Sequence, residues 1–171
     1  DPVVTAETTV TGNRNETNDE LIAEGSFELA DADISDVVSV TDVTVVASGA
    51  GFSDPLNPAA DNATLDAMFG VFLPTDGIVE VGDQDRDVIG ATATSATVEW
   101  EFRSGAEAFD YLAAGETLTL AYTVQISDDN ATAGTTSQDV VITINGTNDA
   151  PVLTINETGS VTEDVGVSAG L

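Results

Sequence analysis

The sequence contains no cysteine, no histidine and no lysine. Without Cys there is no disulfide to staple the fold and no thiolate to act as nucleophile. Without His, a nucleophilic triad lacks its usual base and a zinc centre its usual nitrogen ligands. Without Lys there is no Schiff-base chemistry. The only cationic side chains are Arg14, Arg86 and Arg103. Three arginines cannot form the basic patch that nucleic acid requires, nor one suited to an anionic membrane surface. No apolar run approaches the ~20 residues of a spanning helix, so direct membrane insertion is not expected. No signal peptide opens the chain, and Asp1-Pro2 reads as a cut inside a longer protein. No Gly-rich phosphate loop is present; Gly12, Gly25 and Gly90 stand alone. Paired-carboxylate glycoside hydrolysis is the one catalytic chemistry left. It calls for a cleft of ordered, aromatic-lined subsites, and aromatics are only 5% of the chain. No enzymatic activity is expected.

What the chain has in excess is acid. There are 31 Asp and Glu residues and a formal net charge of −28. So few cations can neutralise only a few carboxylates. The rest are either solvated, as on a halotolerant surface, or gathered around metal ions. A charge of this size opposes compaction. A hard divalent cation with oxygen ligands, Ca²⁺ above all, relieves it. Charge alone leaves both readings open.

Apolar residues make up 42% of 171 positions, enough for the core of one sandwich-sized domain. Period-two alternation dominates. Leu118, Leu120, Tyr122, Val124 and Ile126 point one way over 117–126; Val140, Ile142 and Ile144 do so over 139–145. Val98, Trp100 and Phe102 alternate with Glu99, Glu101 and Arg103, and Phe27 and Leu29 mark a strand over 25–30. Strands are also expected over 3–10 and 38–46, with a broken one over 70–73 and 78–81. The reading is an all-β, antiparallel Ig-like or cadherin-like β-sandwich of about seven strands, with an irregular insertion around 47–96. Strand parity assigns Trp100, Phe102 and Tyr122 to the core, and Tyr111 with them, rather than to a sugar platform. Short helical turns are expected at 63–68 and 107–112.

Asp1-Pro2-Val3-Val4-Thr5 is echoed by Ala150-Pro151-Val152-Leu153-Thr154. One copy opens the chain and the other follows the last strong strand. Residues 1–149 then form one repeat unit, and 150–171 a linker with the first strand of the next, as in a tandem array. Asn145-Gly146-Thr147-Asn148-Asp149-Ala150-Pro151-Val152 closely resembles the GTNDAPV boundary motif of VCBS repeats, the bacterial cadherin-like modules of giant RTX-type adhesins. The segments 107–118, 25–33 and 161–164 resemble further parts of that family. The middle of the chain, 47–96, departs from its compact pattern. The resemblance implies a secreted or bacterial cell-surface protein, exported by type I secretion. It implies a rod whose partners are neighbouring repeats of the same chain, and a spacer role behind a ligand-binding tip in adhesion or biofilm formation. The module is expected to be monomeric. The alternative is a carbohydrate- or protein-binding module of the same adhesin, its surface ligand unknown.

Successive loops of a sandwich alternate between its two ends. Counting strands puts Asp31, Asp33 and Asp36 of the second connection at the leading end, with Asp128 and Asp129 of the sixth. Glu107, Asp110, Asn148 and Asp149 gather at the trailing end, near Glu16 and Asp19. These nine residues, Asp31 to Asp149, are the candidate Ca²⁺ ligands. No single loop supplies the ~6–8 oxygens the ion takes, so loops must converge. The arrangement resembles cadherin junctions, in which a DxD loop, a linker Asn-Asp and a neighbouring domain share Ca²⁺. Each group also suits an ordinary solvated turn, and Asp-Asp-Asn a hairpin. Asp83, Asp85 and Asp87 open like an EF-hand loop, but Val88 and Ile89 follow where Gly is required, so a solvated loop is expected.

Overall fold

Alternation of apolar and polar residues builds two facing sheets. The computed structural model describes residues 1–7, 11–15, 19–33, 35–49, 62–73, 77–80, 86–106, 109–129 and 134–148. Among them lie ten strands and one short helix. They are β1 (Val3–Glu7), β2 (Thr11–Asn15), β3 (Ile22–Ala30), β4 (Val38–Gly49), α1 (Asn62–Asp66), β5 (Phe69–Leu73), β6 (Gly77–Glu80), β7 (Arg86–Ile89), β8 (Ser95–Arg103), β9 (Thr117–Asp128) and β10 (Thr135–Asn145). One sheet runs β1-β3-β8-β5-β6 and the other β2-β10-β9-β4-β7. The fold is the expected all-β sandwich. Its pairs are antiparallel except for β2, which lies parallel to β10 with Thr11 beside Val141 and Asn15 beside Asn145.

The strand inventory is finer than the sequence suggested. Of the run expected over 3–10, residues 3–7 form β1, which pairs with β3, and 8–10 lie outside the described residues; β2, beyond the expected run, pairs with β10. A first strand at the corner of a sandwich can bond to either sheet. Strands β1 and β2 each lie at an edge, β1 beside β3 and β2 beside β10, on backbone that would otherwise stay unpaired. The broken strand becomes the β5–β6 hairpin, which extends the first sheet from β8. Strand β7 returns to the second sheet beside β4. Residues 50–61, 74–76 and 81–85 of the irregular stretch lie outside the described residues.

The core forms where the inward faces meet. Leu118, Leu120, Tyr122, Val124 and Ile126 of β9 are all at most 1% exposed, as are Val140, Ile142 and Ile144 of β10. Phe27, Leu29, Val98, Trp100 and Phe102 face them from the first sheet. Phe69 stacks on Tyr122 with ring centroids 4.4 Å apart and on Trp100 at 6.0 Å, tying the sheets through offset aromatic contact. The Tyr122 hydroxyl donates to Leu65 O at 2.8 Å, anchoring α1 over the flank of the sandwich. Burial pushes that phenol above its ordinary pKa.

The ends are organised by this pairing. Antiparallel β3 and β8 bring Ala30 beside Ser95 at one end and Ile22 beside Arg103 at the other. Strands β9 and β10 bring Ser127 beside Thr135 and Thr117 beside Asn145. The leading end therefore carries the β3–β4 and β9–β10 connections, and the trailing end carries the 104–116 turn and the close of β10. In that turn Phe109 adopts φ 58°, a left-handed conformation disfavoured by ~1–2 kcal/mol in a residue with a Cβ. Its ring is 1% exposed, and burial of an aromatic side chain of this size offsets that strain.

Candidate cation site at the leading end

Strand β3 ends at Ala30, and the chain turns at once. Asp31 N–H donates to Thr94 O at 2.9 Å, and Asp33 N–H donates to Asp31 Oδ1 at 3.0 Å. The second bond is the Asx turn that a short acidic side chain favours. Asp36 N–H then donates to Asp33 O at 3.3 Å, and β4 begins two residues later. The β9–β10 connection is closed in the same manner. Asp128 N–H donates to Gly134 O at 3.1 Å, and Gly134 N–H returns to Asp128 Oδ1 at 2.8 Å. A reciprocal pair stitches the two connections together: Asp129 N–H to Val37 O at 3.1 Å, and Val37 N–H to Asp129 Oδ1 at 2.8 Å.

These bonds set two buried carboxylates around one point. The Asp31 and Asp128 side chains are 0% and 1% exposed. Between them lies the terminal ammonium of Asp1, 3.7 Å from Asp31 Oδ1 and 3.8 Å from Asp128 Oδ2. Among the described residues nothing donates a hydrogen bond to Asp31 Oδ2, although the atom is buried. A buried carboxylate oxygen without a donor is costly unless positive charge stands near it. Gly134 forms one wall: a Cβ there would lie 2.2 Å from Asp1 Oδ1 and 2.7 Å from Asp128 Oδ2. The Asp1 carboxylate therefore reaches the same spot. A shallow groove of about 440 Å³ continues from it past Val37, Ser39, Asp87 and Asp129.

The sequence-derived candidates are placed unequally. Asp31 and Asp128 come together, and Asp33 joins them through its backbone. Asp36 is buried in the same connection, where Ser35 Oγ donates to its Oδ1 at 3.1 Å. Asp129 spends one oxygen on Val37 and is otherwise exposed. At the trailing end Asp110 and Asn148 are exposed, and Glu107 and Asp149 lie outside the described residues. Of the DxDxD run only Asp87 is described. It sits in β7 opposite Ser39, whose hydroxyl donates to it at 3.3 Å.

Two participants were missed by sequence reasoning. Asp1 gave no signal beyond preceding the first strand. Its place follows only once Val3 pairs with Ala30. Gly134 is legible as a turn residue, but not as the wall of a site.

As a fit for Ca²⁺, hard oxygen donors from two connections face one positive charge, with the Asp1 carboxylate nearby beside Gly134, and such donors suit the ion's chemistry. Among the described residues, however, no three acidic side chains are gathered as a ready-made metal cage. The set is part of a coordination shell, and the ~6–8 oxygens the ion takes would need backbone, water or linker atoms as well.

One further carboxylate departs from ordinary behaviour. Asp66, closing α1, has its pKa raised by burial and by Asp42 across the flank, against an opposing bond from Val45 N–H. Its Oδ1 is buried, with no hydrogen-bond partner among the described residues.

No protein-family model matches the chain, and no curated protein does. Among solved structures it is similar to the crystal structure of AggA, the major subunit of aggregative adherence fimbriae type I from Escherichia coli. The identity is 11% and the TM-score 0.43, over 85% of this chain and 95% of that one. A likeness this remote says nothing of activity. Among the described residues no helix is long and apolar enough to cross a membrane.

Proposed function

We propose that this chain is a calcium-stiffened spacer module of a large bacterial surface or secreted adhesin. Residues 1–149 form one VCBS-like repeat, and 150–171 begin its neighbour. The single observation behind the cation is the buried Asp31 Oδ2, which has no donor among the described residues, held with the Asp128 carboxylate around the Asp1 nitrogen. In a chain that continued N-terminally, that nitrogen would be a neutral amide. The two buried carboxylates would then need another positive charge. Ca²⁺ would supply it, held by Asp31, Asp128 and the Asp1 carboxylate.

The mechanical consequence follows from which segments these residues belong to. Asp31 fixes the β3–β4 connection, Asp128 fixes the β9–β10 connection, and Asp1 precedes β1. An ion shared by all three joins the start of the module to both sheets. A hinge becomes a stiff joint, and a series of such joints makes an extended rod whose partners are its own neighbouring repeats.

Calorimetric Ca²⁺ titration tests this reading on a chain lengthened by a few residues before Asp1, so that no ammonium competes. Saturable binding is expected, weakened roughly tenfold or more by Asp31→Asn or Asp128→Asn, since affinity follows ligand charge. Binding that survives both substitutions unchanged would place any ion elsewhere and remove the basis of the proposal.

A further inference from the structure

We propose that the Asn145-Gly146 bond is a latent deamidation site, silent while the trailing end of the module is closed and reactive once that end opens. The proposal is independent of the cation at the opposite end.

Asn145 is the one Asn of the sequence that is followed by Gly. In this chemistry the backbone nitrogen of the following residue attacks the Asn Cγ. The N–Cγ bond forms, the Cγ–Nδ2 bond breaks, and the proton of the attacking nitrogen leaves with the amide as ammonia. Water then opens the cyclic imide at either carbonyl, giving Asp or isoaspartate. No oxidant, reductant or cofactor is involved. A side chain on the attacking residue hinders the approach, and Gly has none.

The fold requires that Gly. A Cβ on Gly146 would lie 2.2 Å from Ala113 O and 2.5 Å from Leu112 O, inside the turn that seats Phe109 and Leu112 in the core. Any other residue would push β10 off this turn. The reactive dipeptide is thus a consequence of tight packing.

The same packing restrains the reaction. Asn145 is the last residue of β10, in extended backbone, paired with Thr117 on one side and Asn15 on the other. Its Nδ2 donates to Arg14 O at 3.1 Å and to Asn15 Oδ1 at 3.3 Å. The attacking group is also engaged: Gly146 N–H donates to Glu116 O at 2.9 Å. Attack needs that bond broken and Asn145 rotated out of the strand, which requires the end of β10 to part from the turn or from β2. Strand β2 is a five-residue edge strand, the kind of element that opens locally at low cost.

Once formed, the product does not permit full reclosure. A carboxylate has no N–H for Arg14 O and turns a lone pair toward it, and isoaspartate adds a methylene to the backbone. The reaction therefore leaves a permanent record that the joint has opened.

The test is peptide mapping by mass spectrometry, with enzymatic isoaspartate detection, after parallel incubation of the chain at mildly alkaline pH in buffer and in denaturing urea. Conversion at residue 145 is expected to be roughly tenfold or more faster in urea, in inverse proportion to the open fraction in buffer. Asn148, which precedes Asp149, serves as an internal comparison that stays slow in both. Asn145→Gln keeps an amide and should abolish the signal. Asn145→Asp should melt lower and lose amide protection in β2. Equal rates in buffer and urea, or no conversion in urea, would overturn the proposal.

Discussion

At the scale of single residues, chemistry is concentrated where an acid is buried without enough donors. Asp66 illustrates the sign of the effect. Its pKa is raised from 3.8, the ordinary Asp value, first by burial and then by Asp42. A carboxyl that holds its proton more tightly when folded makes the fold less stable as pH rises from that ordinary value through the raised one. Asp66→Asn, which keeps an acceptor for Val45 N–H, should therefore raise the melting temperature at about pH 7. The gain should vanish at about pH 3, where wild-type Asp66 is protonated in both states; a gain that persisted in acid would refute the assignment. Tyr122→Phe should cost about 1–2 kcal/mol in chemical denaturation, because Leu65 O loses its buried donor. The acids of the leading end were legible from strand counting, since Asp31 and Asp128 flank strands of clear parity. Asp66 was not, because nothing in its neighbours shows that α1 presses it against the open side of β4.

At the scale of elements, legibility tracks how strictly a strand alternates. Strands β8, β9 and β10 read directly from sequence because one face of each is continuous core. Strand β2 did not, because Thr11–Asn15 shows no apolar alternation, and alternation in any case does not say which sheet supplies the hydrogen bonds. The β5–β6 hairpin showed only as two short apolar runs, since a sheet edge needs less apolar surface than its centre. The pairing sets an order of local stability. Strand β9 lies between β10 and β4 over almost its whole length, whereas β1 keeps four pairs with a bulge between Val4 and Ala6. Native-state hydrogen exchange should find the β9 amides slowest and those of β1 and β7 among the fastest. Protection of β1 equal to that of β9 would contradict this order. Trp100→Ala, at the centre of the first sheet, should cost about 3–5 kcal/mol.

At the scale of the whole molecule, a net charge of −28 meets a fold that gathers two of its carboxylates at one end out of water. Salt screens the exposed charges, with a Debye length of about 10 Å at 0.1 M, but reaches the buried pair much less. General screening and a specific ion are therefore separable. Exposed acids respond to any salt, and the leading end should respond to a cation of the right size and hardness. The most direct measurement is thermal unfolding of the N-terminally extended chain in millimolar Ca²⁺, in chelator, and in NaCl of matched ionic strength. Expected is a clear rise in melting temperature with Ca²⁺ alone, most of it absent in Asp31→Asn. Superimposable curves in Ca²⁺ and matched NaCl would mean that the acids are merely solvated and that no ion joins the sheets.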